Sequence, residues 1–321
     1  MSIHSLDLLD LPTLYRYRAE AISLDTTRLL TRGNPLGAIG VMAYMNPSRH
    51  LYSAVLRENG TTLAGGIIHT NGDAFARLLY LAPASEMEHR GLPLLIENLI
   101  SQAAQWGALH VVAEVDESAS AFVPLRKAGF SVYAWQRIWD VTELASGGIA
   151  HDGDGNHNGH SNLNGKPSWR RLQSVDLPAV QNLYHQIVPA LVQPVEPAPR
   201  RPVGFICGEG QLAHVGINTG MIGIALFPLI HPESTDVGAK LASLIQQLPN
   251  RGGRPVYVCV RSYQAWLEPV LQDLGARAAD RQAIMVKHMA RLVKDEQSVL
   301  AKQPASVSVQ PSSMSHMQNR K

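Results

Sequence analysis

The sequence predicts an α+β fold made twice in one chain. Two observations carry this. Residues 107–140 read as strand, helix, glycine stop and strand: His110–Val115 is a β-branched apolar run, Ala119–Lys127 has helical spacing, Gly129 ends the helix, and Ser131–Val141 is aromatic and β-branched. The same unit recurs 146 residues later without a gap, with Val256–Val260, Tyr263–Asp273, Gly275 and Ala283–Val286 in the matching places. Gly107 falls on Gly253, Val112 on Val258, Leu125 on Leu271, Gly129 on Gly275 and Gln136 on Gln282.

The rest of each half repeats as well. Asp10-Leu-Pro12 and Asp176-Leu-Pro178 each open a helix, with Asp as N-cap and Pro in the first turn. Three strands follow in the first half, at Leu51–Arg57, Thr62–His69 and Phe75–Ala82, joined by turns at Asn59-Gly60 and Asn71-Gly72. In the second half the counterparts are Val203–Ile206, Leu212–Ile217 and Met221–Leu229. Helices are expected over Gly91–Trp106 and Val237–Leu248. Each half is therefore expected to form its own mixed, mostly antiparallel sheet with helices on its faces. The first covers residues 1–144 and the second 168–292. Residues 145–167, rich in Gly, Asn and His, read as a flexible linker, and 293–321 as a disordered tail.

Composition narrows the function. The chain has 321 residues, 45% hydrophobic and 17% charged, which describes two ordinary globular domains. A net charge of +2 with no long basic run gives no case for nucleic acid. No apolar stretch is long enough for a membrane span. Two cysteines, Cys207 and Cys259, make no disulfide framework, and with no leader sequence evident the expected location is the cytoplasm.

The order of elements, closing on Leu125-Arg-Lys-Ala-Gly129-Phe130, resembles the GNAT superfamily of acyl-CoA-dependent N-acetyltransferases. The likeness covers about 1–143 and, more weakly, 168–290, so the chain looks like a tandem GNAT protein, its halves forming an intramolecular pseudo-dimer. The resemblance implies acetyl-CoA as co-substrate and an amine, on a small molecule or a peptide, as acceptor. It also implies a phosphate cradle where the third strand of the meander meets the next helix, since a helix start offers free amides and a positive dipole end. The matching residues are Arg90, Gly91, Leu92 and Leu94. Pro93 replaces the motif's next glycine and removes a donor, and Glu86 and Glu88 add negative charge. In the second half His231–Gly238 lacks the motif, and Asp236 as N-cap would occupy the helix start itself.

The catalytic groups that the family implies are only partly present. The tyrosine that protonates the leaving thiolate falls on Leu125 and, in the second half, on Leu271. Tyr133 and Tyr80 are the nearby substitutes, each also readable as a packed strand aromatic. The expected general base is Glu114, a carboxylate within an apolar strand; Val260 and Arg261 stand at the second half's equivalent. Two functions follow: an N-acyltransferase using the first half, or a catalytically inactive binding or scaffold protein on the same fold. No metal site is expected. The His151–His160 cluster is a spacer, and its Asp152-x-Asp154 start lacks the glycine and glutamate of a calcium loop. Gly65-Gly66 marks a bulge or close packing.

Overall fold

A computed structural model describes residues 2–7, 10–37, 49–58, 60–146, 169–208 and 212–289. Residues 147–168 and those from 290 lie outside the described residues, and with them the expected tail and all of the expected linker except Ala145 and Ser146, which end a helix. The first half runs β1 (Ser2–Ser5), α1 (Leu11–Arg16), β2 (Ile22–Ser23), α2 (Thr26–Arg32), β3 (Arg49–Glu58), β4 (Thr61–Thr70), β5 (Phe75–Ala82), α3 (Leu92–Gln105), β6 (His110–Asp116), α4 (Phe122–Lys127), β7 (Ser131–Asp140) and α5 (Thr142–Ser146). The second runs β8 (Arg170–Arg171), α6 (Leu177–Ile187), β9 (Phe205–Cys207), β10 (Ala213–Thr219), β11 (Ile224–Ile230), α7 (Val237–Gln246), β12 (Val256–Arg261), α8 (Leu267–Asp273) and β13 (Arg277–His288). The expected α+β class and the repeated element order are both present.

The two sheets are not separate, as the sequence led us to expect. All strands form one sheet in the order β1-β3-β4-β5-β6-β13-β7-β12-β11-β10-β9-β8, with β2 added on β5. Each half gives up its last strand: β13 pairs with β6 of the first half, and β7 with β12 of the second. The exchanged strands also pair with each other, antiparallel, and Gln136 stands opposite Gln282. These two residues are 146 apart, so the repeat maps one strand of the central pair onto the other. The local twofold relation between the halves passes between them.

Helices cover one face of this sheet. α3 buries Leu92, Leu95, Ile96, Leu99, Ile100 and Ala103, the helical spacing of an amphipathic stripe, against β3–β6. α7 does the same with Val237, Leu241, Leu244 and Ile245 against β10–β12. Gly129 (φ 88°) and Gly275 (φ 82°) end α4 and α8 in the left-handed region, as their positions predicted. Phe130 N–H returns to Leu125 O, and Ala276 N–H to Leu271 O, both at 3.0 Å, so the two helix stops are equivalent. Asp236 corrects one expectation: it sits at φ 55°, and its side chain makes no capping bond to α7. Gly66 marks a bulge in the β4–β5 ladder, and a Cβ there would lie 2.4 Å from the Tyr80 ring.

α2 ties the halves together on the other face. Its last turn presents Thr31 O to Ile222 N–H (3.1 Å) at the β10–β11 turn. The approach is close enough that a Cβ on Gly220 would sit 2.0 Å from Thr31 O, a backbone atom that cannot swing aside. Gly220→Ala is therefore expected to cost about 1–3 kcal/mol or more in chemical denaturation. Gly208→Ala, with nothing within 4 Å among the described residues, is the control and should change stability little.

Candidate functional site

The strand exchange sets polar residues of both halves side by side on the sheet face that carries α2. Glu114 lies at its centre and is 1% exposed. Its Oε2 accepts Thr26 N–H at 2.9 Å and Gln136 Nε2 at 3.3 Å. Its Oε1 faces Arg77 Nη1 at 3.4 Å and Arg261 Nη2 at 3.9 Å. Gln136 also donates to Gln282 Oε1 (2.8 Å) and accepts from Arg261. Gln282 in turn donates to Asp116 Oδ1 at 2.8 Å.

Arg261 Nη2 pairs with Glu196 Oε1 at 2.6 Å. Burial works against the charge of Arg261, but Glu196 and Glu114 outweigh it and hold the guanidinium more firmly protonated than usual. Glu196 also accepts Tyr263 OH (3.1 Å) and Tyr133 OH (3.4 Å). Burial, then Glu196, pushes both phenols upward. A phenol held neutral in this way is a poorer proton donor, which weakens Tyr133 as an acid. Tyr80, the other substitute, is fully buried and donates to Ser53 Oγ at 3.0 Å.

Beside this network lies a cavity of about 490 Å³, within the usual range for a small-molecule site. The first half contributes Asp25, Arg28, Arg32, Asp73, Phe75 and Arg77; the second contributes Glu196, His214, Phe227, Leu229, Arg261 and Tyr263. Asp25 caps α2 by accepting Arg28 N–H at 3.0 Å. Burial raises its carboxyl, with Arg77 opposing. His214 is 3% exposed, and among the described residues neither ring nitrogen makes a hydrogen bond of ordinary geometry. Burial pushes its imidazole down to about 4, with the Val203 backbone opposing. Among the described residues no group of three or more His, Cys, Asp or Glu is arranged to hold a metal.

The residues matched to the phosphate cradle lie elsewhere, at the start of α3, and no contact among the described residues joins them to Glu114. Arg90 is hydrogen-bonded to Glu58. Gly91 N–H donates to His89 Nδ1 (3.0 Å) and Leu92 N–H to His89 O (3.0 Å). Leu92 is buried and Leu94 exposed. Two of the amides that would hold a pyrophosphate, those of Gly91 and Leu92, are thus already bonded, and Pro93 offers none.

The gap beyond the paired ends of β5 and β6 is also filled. These parallel strands pair from Phe75↔His110 to Arg77↔Val112. Beyond that point Leu24 lies between them: its N–H donates to Leu79 O at 2.8 Å, and its carbonyl accepts Glu114 N–H at 2.8 Å. Ile22 and Ser23 pair with Leu81 and Tyr80. The second half fills its gap with a side chain. β11 and β12 pair only as far as Leu226↔Val258, and the buried Gln264 amide then bonds Ile230 N–H and Pro228 O, both at 3.0 Å. In the first half the chain's own backbone thus bridges the gap, and in the second a glutamine side chain occupies it.

The fold is that of the GNAT N-acetyltransferases. A GCN5-related N-acetyltransferase from Sphaerobacter thermophilus matches 89% of this chain and 95% of its own at 12% identity, with a TM-score of 0.50. A tandem GNAT protein from the clavulanic acid biosynthesis pathway matches 89% and 98% at 14% identity, with a TM-score of 0.48. No family model and no curated protein matches the chain.

Proposed function

We propose that this protein is a ligand-binding protein on a GNAT acetyltransferase fold, with its site in the cavity between the halves. The observation that carries this is Leu24, whose backbone bonds both Leu79 and Glu114 across the β5–β6 gap. An unpaired N–H and C=O facing each other across such a gap would hold an amide-bearing ligand; here the chain holds itself. Glu114 points the same way. A general base must come within hydrogen-bond reach of the amine whose proton it takes. This carboxylate is buried and already meets Thr26, Gln136, Arg77 and Arg261.

One observation favours the second reading, acyl transfer from acetyl-CoA by the first half, with Arg90, Gly91, Leu92 and Leu94 at the phosphates. Glu114 stands next to Arg77, which itself lines the cavity, so a shift of Arg77 would bring the carboxylate to the ligand. The cytoplasm is the location we assign, on the evidence of two free, buried cysteines. Among the described residues no helix is long and apolar enough to cross a membrane. We read the two halves as an intramolecular pseudo-dimer that leaves its central cavity for a small partner.

The test is thiol release from acetyl-CoA by the full chain over a panel of amines and peptide N-termini. No release above background hydrolysis is expected. Amine-dependent release that saturates, and that Glu114→Gln abolishes, would overturn the binding reading in favour of catalysis.

A further inference from the structure

Three cavity side chains have bonding capacity that the protein itself does not use. Arg77 donates only through Nη1, to Glu114; its Nε and Nη2 have no partner among the described residues. The Asp73 carboxylate makes no hydrogen bond and no ion pair with any described residue, although the backbone around it is bonded, Asp73 O accepting from His69 Nε2 at 2.9 Å. His214, nine-tenths buried, leaves both ring nitrogens without a hydrogen bond of ordinary geometry among the described residues. Buried polar groups are normally satisfied, so the buried His214 marks this cavity as a place where a ligand completes the bonding, and the half-buried Arg77 and Asp73 line the same space with charge to offer. By contrast Asp25 is bonded to Arg28, and Glu196 to Arg261.

The three groups are one cation, one anion and one imidazole. The Arg77 guanidinium lies over the Phe75 ring, 5.1 Å from its centroid. Phe227 and Leu229 supply apolar wall.

We propose that the cavity takes an organic zwitterion, an amino acid or short peptide, with its carboxylate on Arg77, its ammonium on Asp73 and a further polar group against His214. This rests on the cavity being the ligand site. The guanidinium fork matches a carboxylate.

Calorimetric titration of the full chain tests this with four probes: glycyl-leucine, leucine, isovalerate and isoamylamine. Glycyl-leucine is expected to bind at least tenfold more tightly than either singly charged probe. Asp73→Asn should weaken it at least tenfold with the melting temperature unchanged, because that carboxylate holds nothing in the fold. His214→Leu should weaken it while raising the melting temperature, since the variant removes an unsatisfied buried group. Isovalerate binding as tightly as glycyl-leucine, or glycyl-leucine binding that Asp73→Asn leaves unchanged, would overturn the zwitterion assignment and leave the cavity reading standing. Binding of none of the four would also overturn the assignment. The cavity reading itself falls only if acetyl-CoA supports saturable thiol release.

Discussion

Glu114→Gln is expected to lower stability by about 3–5 kcal/mol, the cost of removing one partner from a buried ion pair. In a unit of this size that corresponds to a fall in melting temperature of about 6–20 °C. Thr26 N–H can still donate to the new amide's oxygen. The amide nitrogen, however, turns a donor toward Arg77 Nη1, 3.4 Å from the present Oε1, and the negative charge between Arg77 and Arg261 is gone. Arg261 keeps Glu196, and Arg77 keeps the attraction of Asp25 but loses its one hydrogen-bonded carboxylate. Adding Arg77→Gln to Glu114→Gln should therefore restore part of the loss, giving a coupling energy of opposite sign to the single effects. Thermal and chemical denaturation of the three variants measures this. A residue that served only as a catalytic base would show the reverse: turnover lost, with the melting temperature unmoved.

His214 should make the protein sensitive to mild acid. Its imidazole is held at about 4 when folded, against 6.5 when exposed. A depressed histidine favours the folded state fully above its unfolded value, and that contribution is lost as pH falls through the folded one. The window is thus pH 6.5 down to about 4, and the loss across it is about 3 kcal/mol, at 1.36 kcal/mol per unit. His214→Leu should remove this slope while leaving the acid response of the carboxylates in place. Comparing unfolding free energies of parent and variant at pH 7, 6, 5 and 4 isolates the effect, with differences that widen in favour of the variant as pH falls. Parallel curves would show that His214 is charged or solvated in the folded protein.

Much of the fold was legible because its signals are local. Asn71-Gly72 set a hairpin, Gly129 and Gly275 stopped their helices, and the strands from Phe75 to Ala82 and from His110 carried alternating or continuous apolar runs. The constant offset of 146 even named the pair at the local twofold, Gln136 and Gln282. The exchange of last strands was not legible, because Ala283–Val286 presents the same apolar pattern whichever β6-like strand it joins. Ile22 and Ser23 are too short a strand to show periodicity, yet with Leu24 they fill the first gap.

The site divides in the same way. Glu114 stood out as a carboxylate in an apolar strand, but its partners come from residues 26, 77, 136 and 261, distant in sequence. Arg77 and Arg261 did leave a trace, each a charge within an otherwise apolar strand, which burial on both faces would forbid without a partner. Glu196 and His214 left none: one lies in a proline-rich loop, the other in a strand where a histidine is an ordinary residue.

Hydrogen exchange at two amides shows whether the chain itself closes the gap where a fold of this kind would take an acyl donor. Leu24 N–H and Glu114 N–H lie on the two sides of the inserted segment. Both should be strongly protected in the full chain, with rates unchanged by saturating acetyl-CoA, because opening them would require β2 to leave β5. Rapid exchange at Leu24, or a change in protection at either amide on adding acetyl-CoA, would show that the gap is open to the donor and that the chain does not close it.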